Sequence, residues 1–161
     1  MLSSVQIIYT IEQPPLSYAT DGSAALDLRV HESVYLHPGE QVKVSAGVRI
    51  YTKDSGYAAL VLPRSGTGVK GLVIANGTGL IDSDYQGEIW LTLWNRNPVH
   101  KHVEFGFGIV QNDAGALSVA KGDRVAQLLF VPIAHPELKI VTEFESATHR
   151  GVGGFGSSGV K

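Results

Sequence analysis

The chain has 161 residues, of which 43% are hydrophobic and 17% charged, with a net charge of −2 and no cysteine. That length suits one domain with a buried core, and the missing cysteines exclude disulfides, thiolate metal sites and thiol nucleophiles. The weakly acidic balance argues against direct nucleic-acid binding through bulk charge, and no stretch reaches the ~18 apolar residues of a membrane helix, so the expectation is a protein of a reducing compartment with no membrane contact, cytoplasmic by default, with the nucleus as the alternative in a eukaryotic or viral setting.

In chain order, Val5 to Ile11 reads as a strand ended by Pro14-Pro15. Ala25 to Val30 is a short strand with Asp27 inside it. Ser33 to Leu36 and Glu40 to Val44 flank a turn at His37-Pro38-Gly39. Val48 to Tyr51 and Tyr57 to Leu62 are further strands, split by Asp54-Ser55-Gly56. Arg64 to Leu72 is the one stretch that could hold a short helix, although three glycines weaken it. Leu72 to Ala75 leads into the turn pair Asn76-Gly77. Ile89, Leu91 and Leu93 alternate with Trp90, Thr92 and Trp94, which predicts a strand with one buried face. Arg124 to Pro132 is an apolar strand interrupted by Gln127, and Lys139 to Phe144 is expected to be the last strand. Many short strands with frequent turn signals predict an all-β barrel or jelly-roll.

The segment Gly79 to Leu91, GLIDSDYQGEIWL, carries the densest chemistry. It places Asp82, Asp84 and Tyr85 in one tight turn, read as a β-hairpin tip. A carboxylate there can take a proton from water, and an aromatic three residues on can pack against a small flat substrate. Alternatively the tip is simply solvated. PRSGTG, Pro63 to Gly68, offers glycine amides, the Arg64 fork and the Ser65 hydroxyl to a phosphate, or forms a polar turn. Gln127 in an apolar strand needs a partner, in the core or on a water. Asp27 reads as a turn anchor or as a contact to a hydrated Mg²⁺. His100 and His102 share a strand face, but no further metal ligand accompanies them, and a solvated strand fits better. The tail RGVGGFGSSG, Arg150 to Gly159, matches G-x-G-x-x-G, but a dinucleotide fingerprint needs a strand before it and a helix after it. A flexible arm with Arg150, Phe155, Ser157 and Ser158 instead suits closure over a phosphorylated ligand.

Five segments stand in a fixed order: AALDL, PRSGTG, GLIDSDYQGEI, GDRVAQLLF and RGVGGFGSSG. Together they resemble the homotrimeric dUTPase family across almost the whole chain. The resemblance implies a distorted β-barrel or jelly-roll subunit over residues 1–149, a C-terminal arm over 150–161 exchanged within a trimer, and three active sites shared between subunits. It implies Mg-dependent hydrolysis of dUTP to dUMP and pyrophosphate. Asp82 would activate the attacking water and Tyr85 would pack under the deoxyribose. Asn76, with the main chain of Gly79, Leu80 and Ile81, would read the uracil. Ser65, Gly66 and Arg64 would meet the phosphates, Gln127 would hold the water, and Asp27 would contact Mg²⁺ through water. Phe155 would cover the base, with Arg150, Gly156, Ser157 and Ser158 around the γ-phosphate.

Two departures stand out. Ala25 replaces the usual glycine of the first segment. The connection from Trp94 to Gly122 is longer than in short family members, with the excess near Asn97 to Ala116. An extra hairpin around Val103 to Val110, turning near Asn112 to Gly115, is expected there, as a neutral insertion or as a partner-binding element. A dCTP deaminase-like enzyme and a nucleotide-switched regulatory protein on the same scaffold are the rival functions. The intact PRSG and DSDY segments favour the hydrolase.

Overall fold

The computed structural model describes residues 2–99, 101–104, 108–111 and 114–154. Among these residues, twelve strands and one helical turn follow in order: β1 (Gln6–Tyr9), β2 (Leu26–Arg29), β3 (Val34–Leu36), β4 (Gln41–Tyr51), β5 (Tyr57–Pro63), α1 (Ser65–Gly68), β6 (Leu72–Ile74), β7 (Gly79–Ile81), β8 (Glu88–Asn95), β9 (Lys101–Glu104), β10 (Gly108–Gln111), β11 (Leu117–Val119) and β12 (Arg124–Pro132). They form two four-stranded sheets, ordered β1-β4-β8-β6 and β2-β12-β5-β7, and two strand pairs, β3 with β11 and β9 with β10. All the pairings are antiparallel. The all-β jelly-roll expectation holds.

The alternation read in β8 has the predicted consequence. Ile89, Leu91 and Leu93 are almost completely buried, while Trp90 stays exposed. They meet Val44 and Val48 of β4 and Leu28 and Leu128 of the opposite sheet in one apolar core. Burying side chains of this size stabilises by roughly 1.5–3 kcal/mol each, which is what holds the two sheets face to face.

Several local expectations are corrected. Glu40 to Val44 and Val48 to Tyr51 belong to one strand, β4, rather than two. Its pairing with β8 steps from Ser45 opposite Trp90 to Arg49 opposite Glu88, so β4 carries two extra residues at a bulge. Gly47 sits in that bulge at φ +67°, and a side chain there would run into His31 and Gln13. The helix expected within Arg64 to Leu72 shrinks to the single turn α1. Lys139 to Phe144 forms no strand: Leu138, Ile140 and Phe144 are 89%, 99% and 91% exposed. An apolar stretch without a neighbouring strand has nothing in its own chain to pair with. The strand β11, unforeseen from its three-residue pattern, pairs with β3.

The segment from Gly79 to Leu91 is not a hairpin. β7 pairs with β5 in one sheet, and β8 pairs with β4 and β6 in the other. Residues 82–87 therefore form an arch from sheet to sheet. Within the connection from Asn97 to Ala116 the expected extra hairpin is present, β9 pairing with β10, but its register sets Glu104 opposite Gly108, so its turn is not the one expected near Asn112 to Gly115.

Candidate active site

Two hollows collect the residues singled out above. The larger, about 840 Å³, is walled by Asp27, Pro63, Arg64, Ser65, Gly66, Arg96 and Gln127. The second, about 250 Å³, is lined by Leu80, Ile81, Asp82 and Tyr85 together with Lys43, Glu88 and Trp90.

The larger hollow grows from the end of β5. Pro63 closes that strand, and α1 starts at once with Ser65, which leaves Ser65 and Gly66 exposed while the Gly68 amide bonds back to the Arg64 carbonyl. The turn is fastened from within and from outside. Thr67 Oγ1 donates to the Arg64 carbonyl at 3.0 Å inside it, and Arg96 Nη2, beyond β8, donates to the Gly68 carbonyl at 3.3 Å. Gln127 lies on β12 opposite Leu62, and its Nε2 donates to the Pro63 carbonyl at 3.1 Å. The polar side chain in the apolar strand thus has its partner on the wall of the cleft. Asp27, opposite Gln127 across β2 and β12, pairs with Arg64 Nε at 2.9 Å and Arg124 Nη1 at 3.1 Å.

Among the described residues no group of three or more His, Asp or Glu could hold a metal ion. One carboxylate on an open wall does not hold a bare divalent cation. It does fit a cation that arrives on a polyphosphate with its own water shell.

The second hollow lies on the arch. Asp82 is exposed, and its carbonyl accepts from the Tyr85 amide at 3.2 Å, which closes the turn. The Tyr85 ring, 44% exposed, folds back over Gly87, where a Cβ would meet its Cζ and Oη. Its hydroxyl donates to the Glu88 carbonyl at 3.0 Å. Asn76 and Gly77 form the predicted turn, with the Gly77 amide on the Ile74 carbonyl at 2.9 Å. Asn76 is exposed, and its Nδ2 lies beside Gly79.

Within one chain the two hollows do not merge. On β5, Leu62 faces Gln127 and Ala59 faces Ile81, three residues apart and on opposite sides of the strand. Strand geometry then puts the Cα atoms of Gln127 and Ile81 about 14 Å apart, with Asp82 one residue further on. Side chains stand roughly perpendicular to a sheet and do not close such a gap.

Of the arm, Arg150 is described: its Nε donates to the Gly153 carbonyl at 2.9 Å, within a turn away from both hollows' lining. Phe155, Gly156, Ser157 and Ser158 lie outside the described residues, as does His100. Sequence reasoning missed Arg96 and gave Arg124 no role, although both stand next to quoted or predicted elements. It also missed Asn95, which is fully buried: its Nδ2 donates to the carbonyls of Leu36 and Gly115, and its Oδ1 accepts from the Asn97 amide.

Comparison with known proteins converges on one group. A family model described as dUTPase matches residues 12–159. The deoxyuridine 5'-triphosphate nucleotidohydrolase of Histophilus somni is 47% identical over 153 residues, covering 93% of this chain and 90% of that protein. That of Pseudomonas fluorescens is 45% identical over 151 residues, covering 92% and 89%. Among solved structures, the Staphylococcus bacteriophage 80alpha dUTPase with dUpNHpp superposes with a TM-score of 0.84 at 32% identity, covering 98% of this chain and 99% of that one. With a polar cleft around Arg64 and Ser65, an acidic-aromatic arch at Asp82 and Tyr85, and this breadth of similarity, the chain belongs to the dUTPase family.

Proposed function

We propose that this chain hydrolyses dUTP to dUMP and pyrophosphate, with each active site assembled from the cleft of one copy and the arch of another. The observation that carries the composite site is the separation of Gln127 from Asp82 on opposite sides of β5. A water held by both side chains requires two copies. The exposed apolar run Leu138, Ile140 and Phe144 supports an assembly in which this segment leaves its own subunit. A closed trimer satisfies both requirements.

In this reading Asp82 takes a proton from the attacking water as its oxygen bonds to the α-phosphorus and the bond to the β-phosphate oxygen breaks. Gln127 orients the water from the far side. Arg64, Ser65 and the amides of Gly66 and its turn stabilise the charge that builds on the leaving pyrophosphate. Tyr85 packs against the sugar and excludes a ribose hydroxyl, while Asn76 and the main chain of Gly79, Leu80 and Ile81 read the uracil edge. Mg²⁺ bound to the triphosphate would neutralise phosphate charge. Asp27 would meet its water shell. The arm from Arg150, with Phe155, Gly156, Ser157 and Ser158, closes over base and γ-phosphate.

Pyrophosphate release from dUTP, dCTP, dTTP and UTP tests this, with Asp82→Asn as control. Rapid release from dUTP alone is expected, with turnover falling by about 10²–10⁴ in the variant while dUTP binding persists. Ammonia release from dCTP would instead indicate a deaminase. Mixing inactive Asp82→Asn with inactive Gln127→Ala chains and recovering part of the activity would support sites shared between copies.

Phage dUTPases such as that of bacteriophage 80alpha control transfer of virulence genes. A second, regulatory role is the reading that would use the connection of residues 97–116 as a protein-binding element. Deleting β9 and β10 and finding partner binding unchanged would reject it.

A further inference from the structure

The carboxylate of Glu88 is unusual on this surface in having two hydroxyl donors and no place in the reaction. Ser45 Oγ donates to its Oε1 at 2.6 Å and Thr10 Oγ1 donates to the same oxygen at 2.5 Å. Ser45 in turn accepts from the Gly47 amide at 2.8 Å, and the Thr10 amide donates to the Gly47 carbonyl at 2.9 Å. The end of β1, the bulge of β4 and the first residue of β8 are thereby tied at one carboxylate. The backbone carbonyl of the same Glu88 receives the Tyr85 hydroxyl. Arg49, opposite Glu88, secures the end of the arch two residues earlier, with its Nε donating to the Gln86 carbonyl at 2.5 Å.

We infer that Glu88 is a positioning residue that sets where the Tyr85 ring stands, and through it the preference for a deoxyribose over a ribose. Tyr85 sits on a six-residue arch between two sheets; its amide and ring meet Asp82 and Gly87 of the arch, and its hydroxyl reaches past the arch to the first residue of β8. Its hydroxyl is held only as firmly as the carbonyl it bonds. A hydrogen bond to a charged acceptor is stronger than one between neutral groups, so a doubly held carboxylate is a stiff anchor for that carbonyl. The β4 bulge is what brings Ser45 and Gly47 to the start of β8, which gives that irregularity a purpose beyond the fold. A steric filter for one oxygen atom needs its wall fixed within a fraction of an ångström, and loops alone seldom provide that.

This inference rests on the reading of Tyr85 as the sugar wall, and one set of rates separates the two. The kcat/KM values for dUTP and UTP are measured for the unaltered protein, Tyr85→Ala, Tyr85→Phe, Glu88→Ala, Glu88→Gln and Thr10→Ala, with melting temperatures alongside. Glu88→Ala is expected to lower the dUTP-to-UTP preference roughly tenfold, the scale of one lost hydrogen bond. Tyr85→Phe should lower it similarly, and the pair combined should fall short of the product of the two. Glu88→Gln, which keeps an acceptor oxygen, should recover most of the preference. Thr10→Ala, remote from the arch, should reproduce a smaller loss and carries the test if Glu88→Ala does not fold. Equal losses for both nucleotides in the Glu88 and Thr10 variants would overturn the positioning role. A preference unchanged in Tyr85→Ala would overturn the reading of the sugar wall itself.

Discussion

Asp27 Oδ1 lies 2.9 Å from Arg64 Nε, so the carboxylate assigned to the metal's water shell is joined to the guanidinium assigned to the phosphates. Arg124 shares the same carboxylate through Oδ2 at 3.1 Å. All three side chains are partly exposed, and pairs of this kind add only about 0–1 kcal/mol to stability. Their consequence is for binding. In the proposed reading a triphosphate would compete with Asp27 for Arg64, and Asp27 would then be free to meet the water shell of a cation carried on that triphosphate.

Asp27→Asn is therefore expected to leave the melting temperature nearly unchanged and to raise the Mg²⁺ concentration needed for half-maximal turnover. A magnesium titration of pyrophosphate release checks this. An unshifted midpoint would remove Asp27 from the metal's surroundings.

Asn95 gives the opposite balance, a stability residue with no part in chemistry. Its amide joins β8 to the carbonyls of Leu36 and Gly115 and to the Asn97 amide, with the side chain fully buried. Asn95→Ala would strand these groups, and each buried unsatisfied group costs about 1–3 kcal/mol. A loss of at least about 2 kcal/mol in urea denaturation is expected, with the dUTP-to-UTP preference intact.

Glu88 makes stability depend on pH. Hydrogen bonds from Ser45 and then Thr10 hold its carboxyl below the usual range, with the charges of His31 and Arg49 acting in the same direction against desolvation. A carboxylate with a lowered folded-state pKa contributes stability above its unfolded value of about 4.3 and loses it as pH falls through the folded value. The stability gap between the unaltered protein and Glu88→Gln should thus be full at pH 6 and shrink below about pH 4. Urea denaturation across that range checks it. A gap that stays constant would mean Glu88 contributes no charge-dependent stability.

Truncation before Arg150 should leave the fold intact, because among the described residues the buried core ends at Leu128 and the last side chain packed against it is Phe130. Turnover of dUTP should fall steeply in the same protein, as expected for an arm that closes over the ligand. Circular dichroism and steady-state rates on one preparation read both. Normal rates would remove the closing role of the arm and of Phe155 in it.

Much of the cleft was legible because its residues are neighbours in the chain. Pro63, Arg64, Ser65 and Gly66 are contiguous, and a proline followed by glycine-rich polar residues turns wherever it occurs. Gln127 was conspicuous as a polar group among apolar ones, and it does find a backbone partner. The Glu88 anchor was not legible. Its donors come from Thr10 and Ser45, 78 and 43 residues away, and only the bulge at Gly47 brings them together.

The sequence by itself determined the strands whose signal is local: the alternation of β8, the turns at Asn76-Gly77 and Asp54-Ser55-Gly56, and the motif order that marks the family. Only the tertiary structure decided that β7 and β8 belong to different sheets, that β4 is one bulged strand, and that Gln127 and Asp82 of one chain stand apart. The reason is that side-chain alternation depends on the nearest few residues, whereas pairing partner and register depend on which distant backbone groups remain to be satisfied once the core has closed.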